Sequence, residues 1–316
     1  MPVGYLAPGL ELHSAPAAPE PGGFPAKITR NLAITRLRDG NAQRRGGGQV
    51  PLALEELGEC VSPEGSPEGE LDRQAAVEAL DRFLAQGGRF TVATGRAHRT
   101  FAPYVHLAPV NAPVVLSNGS AIYDFQKDEF LVQTYLSPSA PQDLDGVMEA
   151  FPQLGMEAYH GEDIYVFRPN WITDLHMKKV GTDYTVCPIR EMPTPWTKAI
   201  LQQDHGVLKE VQSWLLDHFP RRYEAIFSNH VYLEITDHGC NKGGMVARLA
   251  QMLGIARENI YCVGDNQNDI PMMALSAVPF APANCAQEVK DWGAHILCHC
   301  DDGVIGDIVE ILEQRY

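Results

Sequence analysis

The chain has 316 residues, 45% of them hydrophobic, and a formal net charge of -15, which is enough apolar material for two domains of ordinary size. That acidity argues against nucleic acid or an anionic membrane as partner. No apolar run reaches the length of a membrane span, the start lacks a signal-peptide pattern, and the seven cysteines have no framework spacing, so reduced thiols and a cytoplasmic location are expected.

Residues 1–49 carry six Lys or Arg against three Asp or Glu. Pro and Gly are frequent there and no apolar period persists, so the segment reads as disordered or weakly ordered. From Val50 the pattern becomes globular. Val50-Pro51-Leu52-Ala53-Leu54 reads as a first strand, Leu71 to Gln86 as an amphipathic helix stopped by Gly87-Gly88, and Arg89 to Ala93 as a second strand. The second strand runs into Thr94-Gly95-Arg96. A hydroxyl at a strand tip followed by Gly and Arg can hold a phosphoryl oxygen, although alone such a tripeptide is more often a plain turn. Val114-Val115-Leu116 then leads into Ser117-Asn118-Gly119-Ser120, a further strand that ends at a polar Gly turn.

From Tyr123 to Thr236 strands and helices alternate without a phosphate-type motif. Asp163 to Phe167 and His230 to Ile235 read as strands and Val207 to Phe219 as a helix. Asn170, His176, Lys178, Lys179, Arg190 and Lys198 are the polar candidates of this region, each read singly as a surface residue. Trp171 and Trp196 read as core.

Leu233 to Thr236 then ends at a turn, and Lys242-Gly243 opens a helix with Met245, Val246, Leu249 and Leu253 at helical spacing. A lysine at a helix N-terminus opposes the macrodipole, so an anion beside it is expected. The apolar Tyr261-Cys262-Val263 breaks at Gly264-Asp265-Asn266-Gln267-Asn268-Asp269 and resumes as a Met-rich helix. Asp265 sits at the strand tip, and Asp269 can face the same point if Asn268 begins a helical turn. Such oxygen ligands favour Mg²⁺, completed by waters and a substrate phosphate. The plain alternative is an Asx-rich turn that caps a helix. Cys298-His299-Cys300 near His295 reads as strand and turn rather than zinc site, and Val304 to Leu312 as a closing helix.

The order strand, Lys-Gly, helix, strand, Gly-Asp-x-x-Asn-Asp, helix, with Thr94-Gly95-Arg96 upstream, resembles the haloacid dehalogenase (HAD) superfamily, and its spacing resembles the Cof-type phosphatases of subclass IIB. The resemblance implies an α/β fold. A Rossmann-like, doubly wound parallel-sheet core would comprise residues 50–123 and 236–316, with an inserted α/β cap of C2B type at 124–235. It also implies hydrolysis of a small phosphorylated metabolite, a sugar phosphate first, with Mg²⁺ and through an aspartyl-phosphate. In that scheme Thr94 binds the transferring phosphoryl group and Lys242 neutralises charge. Gly95, Arg96, Asn118, Gly119 and Asn268 lie on the substrate side, while Asp265 holds the metal with Asp269 behind it.

The family's first motif, Asp-x-Asp-Gly-Thr, has no counterpart upstream of Thr94. Aligning on Gly58 places Glu55 at the nucleophile position and Leu57 at the acid/base position. Aligning on Asp39-Gly40 keeps an acid but puts Leu37 at the nucleophile. A misplaced nucleophile costs on the order of 10²-fold and a missing acid about 10²–10⁴-fold, so little or no phosphatase turnover is expected. Two alternatives stay open: a non-catalytic phosphate- or metal-binding module, and a first 60 or so residues that replace the native start through a frame error.

Overall fold

The structure, a computed structural model, describes residues 12–13 and 67–315. Strong two-residue periodicity in the middle of the chain builds the larger sheet. Met156, Ala158, Ala199, Leu201, Leu233 and Ile235 are buried with the helices Ala140–Ala150 and His205–His218. The alternate residues Tyr159, Ile200 and Tyr232 are buried with the helix Trp171–Val180, so the sheet is covered on both faces. Its spatial order is Leu12–His13, Tyr184–Val186, Asp163–Phe167, Gly155–His160, Lys198–Gln202, Tyr232–Asp237, Tyr223–Asn229. Only Asp163–Phe167 and Tyr184–Val186 run parallel.

The expected strand at His230 runs Tyr232–Asp237, and the expected helix at Val207 runs His205–His218. These are shifts of the size that frayed ends produce. Trp196 is 1% exposed, in the core as expected, whereas Trp171 is 42% exposed. Trp171 opens a helix whose buried face is taken by Ile172, Thr173, His176 and Met177, which leaves its own position outside.

The rest of the described chain forms two three-stranded sheets. Tyr261–Val263, Val278–Ala281 and His295–Ile296 are parallel. Val114–Leu116, Ala121–Asp124 and Glu129–Gln133 form an antiparallel meander. The expected strand Arg89 to Ala93 is reduced to one parallel bridge, Ala93 to Val115, flanked by Val115 N–H to Val92 O (3.0 Å) and Thr94 N–H to Val115 O (2.9 Å). A strand is recognised by its ladders, and among the described residues this one has a partner on one side only. The helix expected from Leu71 begins earlier and spans Pro67–Ala85. It packs Ala79 and Leu80 against Val309 of the closing helix Val304–Arg315. No described helix is long and apolar enough to cross a membrane.

Candidate active site

The loop after Tyr261–Val263 is shaped by its own carboxylate. Asn266 and Asp269 form a reciprocal cap: the Asn266 side chain accepts the Gln267 N–H (2.9 Å) while Asp269 Oδ2 accepts the Asn266 N–H (3.2 Å). The same Oδ2 accepts the Asp265 N–H at 3.0 Å. Asp269 Oδ1 takes the Lys242 ammonium at 2.6 Å. The buried anion required by a lysine at a helix start is therefore Asp269. Its two oxygens are committed to that lysine and to the loop backbone, so it positions the loop from behind. Lys242 is delivered by the helix Lys242–Leu253, which Asn241 caps by accepting the Gly244 N–H (2.9 Å) and Gly254 ends at φ 67°.

Ser117, Asn118 and Gly119 have φ values of 50°, 53° and 101°. Three successive left-handed residues cost free energy that their surroundings must offset. The Ser117 N–H donates to Arg96 O and the Asn118 N–H to Thr94 O, both at 2.9 Å. A Cβ on Gly119 would strike the Asn241 backbone, and one on Gly95 would lie 2.9 Å from Asn118 Nδ2. Asn118 Oδ1 in turn accepts Asn268 Nδ2 at 3.0 Å. Thr94, Asn118, Asn268, Asp269, Asp265 and Lys242 thus form one connected set drawn from four separate stretches of chain.

The Thr94 hydroxyl accepts the Arg96 N–H at 3.2 Å, and its own hydrogen has no recorded acceptor among the described residues. The Arg96 guanidinium reaches Thr100 O (3.3 Å) and lies 5.1 Å from the centre of the Tyr104 ring.

The larger sheet touches the site through Lys198. Its ammonium donates to Glu234 Oε2 (2.8 Å) and Gly95 O (3.1 Å), and lies 4.7 Å from the Tyr159 ring centre. Both side chains of the pair are buried. Burial pushes the Glu234 carboxyl up, but the charge and hydrogen bond of Lys198, together with smaller hydrogen-bond contributions from Ser228 and Asn118, more than offset it, and the group sits below its ordinary 4.5. Asn266 Nδ2 adds a second tie, to Ser228 O at 2.7 Å. Of the other polar candidates, Asn170 caps its helix and Arg190 meets Asp145 at the surface. His176 is buried against Glu157, so the surface reading fails for His176 and for Lys198. Lys198 tolerates burial because Glu234 opposes its charge, and His176 because its Nδ1 lies 2.9 Å from the Glu157 carboxylate.

For a cation, the described residues offer the buried carboxylate of Asp265 and, in addition, Asn268 Oδ1, a buried oxygen that no described donor meets. Both are hard oxygens of the kind Mg²⁺ accepts alongside water and phosphate. No group of three or more His, Cys, Asp or Glu able to hold a metal occurs among the described residues, around Cys298 and Cys300 included. Glu55, Leu57, Leu37 and Asp39 lie outside the described residues. Glu234 and Asn266 were not singled out from sequence. Glu234 had a signal, since it is the one acid in the apolar run Tyr232-Leu233-Glu234-Ile235.

Residues 67–308 match the family model for haloacid dehalogenase-like hydrolase. The pyridoxal phosphate phosphatase YbhA of Escherichia coli K12 is 23% identical over 239 residues, 68% of this chain and 83% of that protein. The 5-amino-6-(5-phospho-D-ribitylamino)uracil phosphatase YitU of Bacillus subtilis is 25% identical over 224 residues, 68% of this chain and 81% of that protein. Among solved structures, the HAD subclass IIB sugar phosphatase BT4131 superposes with a TM-score of 0.65 at 16% identity, covering 76% of this chain and 91% of that one.

Proposed function

Since the chain belongs to the haloacid dehalogenase-like hydrolase family, we propose that its site binds a small phosphate ester together with Mg²⁺, and that hydrolysis of that ester is the reaction the site is shaped for. The observation that carries this reading is the connected set itself, which gathers one hydroxyl, one ammonium, two carboxylates and two carboxamides. Thr94 and the backbone around Gly95 would receive phosphoryl oxygens, and Lys242, held by Asp269, would offset their charge. Asp265 and Asn268 would hold Mg²⁺, which when bound supplies further neutralisation of the phosphate. The proton donor and the nucleophile are not among these residues. Lys198, Glu234 and the adjoining strands would cover the site from the larger sheet and exclude water from it.

The substrate class follows the phosphorylated metabolites named for the relatives, sugar phosphates first. Turnover by this chain should be low, because the sequence upstream of Thr94 contains no Asp-x-Asp to supply the attacking and proton-donating carboxylates. Mg²⁺-dependent hydrolysis of p-nitrophenyl phosphate, with Asp265→Asn as control, tests this directly. Robust turnover that the substitution abolishes would show the chain to be an ordinary phosphatase. The second reading is a binding module without catalysis, for which the described residues supply Thr94, Lys242 and Asp265. Calorimetric uptake of phosphate and Mg²⁺ without turnover would establish it, and uptake of neither would remove both readings.

A further inference from the structure

Ala97 opens the short helix His98–Phe101 and has no side chain able to cap it. The acceptor comes from 63 residues further along: Glu162 Oε2 takes the Arg99 N–H at 2.8 Å. His98 Nδ1 lies 3.7 Å from the other oxygen of the same carboxylate. An acid suits the place, because a first-turn N–H has no partner inside its own helix.

Glu162 is held out by the larger sheet. It stands with Gly161, at φ 59°, in the turn between Gly155–His160 and Asp163–Phe167. Tyr159, three residues earlier, pairs with Lys198. That corner of the sheet is braced by the Thr197 N–H on Tyr159 O and by His160 Nδ1 beside Pro195 O, both at 2.8 Å. One braced corner therefore sends two groups to the same stretch of chain: Lys198 Nζ to Gly95 O at 3.1 Å, and the Glu162 carboxylate to the Arg99 N–H.

The Thr94-Gly95-Arg96 turn is gripped by these two contacts. On its far side the helix is already fixed, since Phe101 is buried with Val92, Val114 and Leu116, and the His98 ring lies 4.2 Å from Tyr123 and 5.5 Å from Phe125. The Arg96 guanidinium bonds Thr100 O, so a shift of the helix is also a shift of the turn. The turn in turn seats its neighbour, because Thr94 O accepts the Asn118 N–H and Arg96 O the Ser117 N–H.

We propose that Glu162 is a positioning residue for phosphate binding: by accepting the Arg99 N–H it lets the larger sheet hold the Thr94-Gly95-Arg96 turn in the shape that receives phosphoryl oxygens. The proposal rests on the reading of Thr94 and the Gly95 backbone as the phosphate seat. Glu162 itself touches no phosphate; as an anion it would repel one, and its effect passes through the backbone. Binding that requires the ordered turn is weakened in proportion to the fraction of molecules that lose it.

The test compares the full chain with Glu162→Ala, Glu162→Gln and, as a control, Asp163→Ala, which removes an exposed charge from the same hairpin. Calorimetry with inorganic phosphate and Mg²⁺ should show affinity falling by about 3–10-fold in Glu162→Ala, the range of one ordinary hydrogen bond. Glu162→Gln keeps an acceptor oxygen and should restore most of it, while Asp163→Ala should bind as the parent does or slightly tighter. Loss of a negative charge alone favours a bound anion, so weaker binding in Glu162→Ala cannot come from net charge. Amide exchange should become faster in Glu162→Ala at Arg99 and also at Ser117 and Asn118, whose N–H groups rest on the turn, with the urea midpoint close to the parent's. Faster exchange at Arg99 alone would make the contact a local surface feature and overturn the proposal, as would faster exchange throughout the core or equal affinities in Glu162→Ala and Asp163→Ala. A parent chain that takes up no phosphate would remove the phosphate seat and this role with it, whereas uptake that Glu162→Ala leaves unchanged would remove the role alone.

Discussion

Lys242 Nζ and Asp269 Oδ1 stand 2.6 Å apart, with the two side chains 1% and 2% exposed, and this one contact ties the start of a helix to a loop 27 residues later. Asp269→Asn would leave the ammonium buried without its counter-charge and weaken two backbone bonds as well. Breaking a buried pair from one side costs about 3–5 kcal/mol. Urea unfolding should show a loss of that order, and a Lys242→Met/Asp269→Asn double variant should lose less than the two single variants together. Additive losses, or a cost below about 1 kcal/mol, would mean that the pair is not what holds the loop.

Gly119 answers to two demands at once, a φ of 101° and the close approach of the Asn241 backbone. Gly119→Ala should cost about 1–3 kcal/mol from conformation and a comparable amount from overpacking. Gly161, at φ 59° with open space around its Cβ position, is the matched control, and Gly161→Ala should cost only about 1 kcal/mol. Equal unfolding midpoints for the two variants would refute the role given to the Asn241 contact.

Acid should loosen the tie between the larger sheet and the site. Glu234 is held below 4.5 despite its burial. A carboxyl whose folded value is depressed contributes stability that is complete above its unfolded value and is lost as pH falls through the folded one. Parent and Glu234→Gln should therefore differ most at about pH 6 and converge as the pH drops below about 4.5. A stability difference that stays constant over that range would show that the carboxylate charge contributes nothing.

Thr94→Val keeps the shape of the strand tip and removes its hydroxyl. One hydrogen bond to a charged group contributes about 1.5–3 kcal/mol, so affinity for inorganic phosphate with Mg²⁺ should fall by about 10–100-fold. Only the Arg96 N–H contact is lost from the fold, and unfolding should shift by about 1 kcal/mol or less. Unchanged phosphate uptake measured by calorimetry would remove Thr94 from the site.

How much could be read in advance depended on range. The Lys-Gly helix start, the Asx-rich loop and the Asn-Gly turn were readable because caps and turns are decided within about five residues. Lys242 even announced its partner, since an ammonium at a helix start needs an anion nearby. That Asp269 would spend both oxygens on the lysine and the loop, leaving Asp265 and Asn268 toward the site, was a matter of rotamers and was not readable.

By itself, then, the sequence determined the order of the elements, the segment that makes the larger sheet and the residue types at each strand tip, because these follow from local periodicity and turn chemistry. Tertiary structure alone decided that Lys198 reaches Gly95 and Glu234, and that the Arg96 guanidinium lies beside the Tyr104 ring. Those relationships span up to 103 residues of chain. They are set by sheet register and by which buried charge finds a counter-charge, and no short stretch of sequence contains that information.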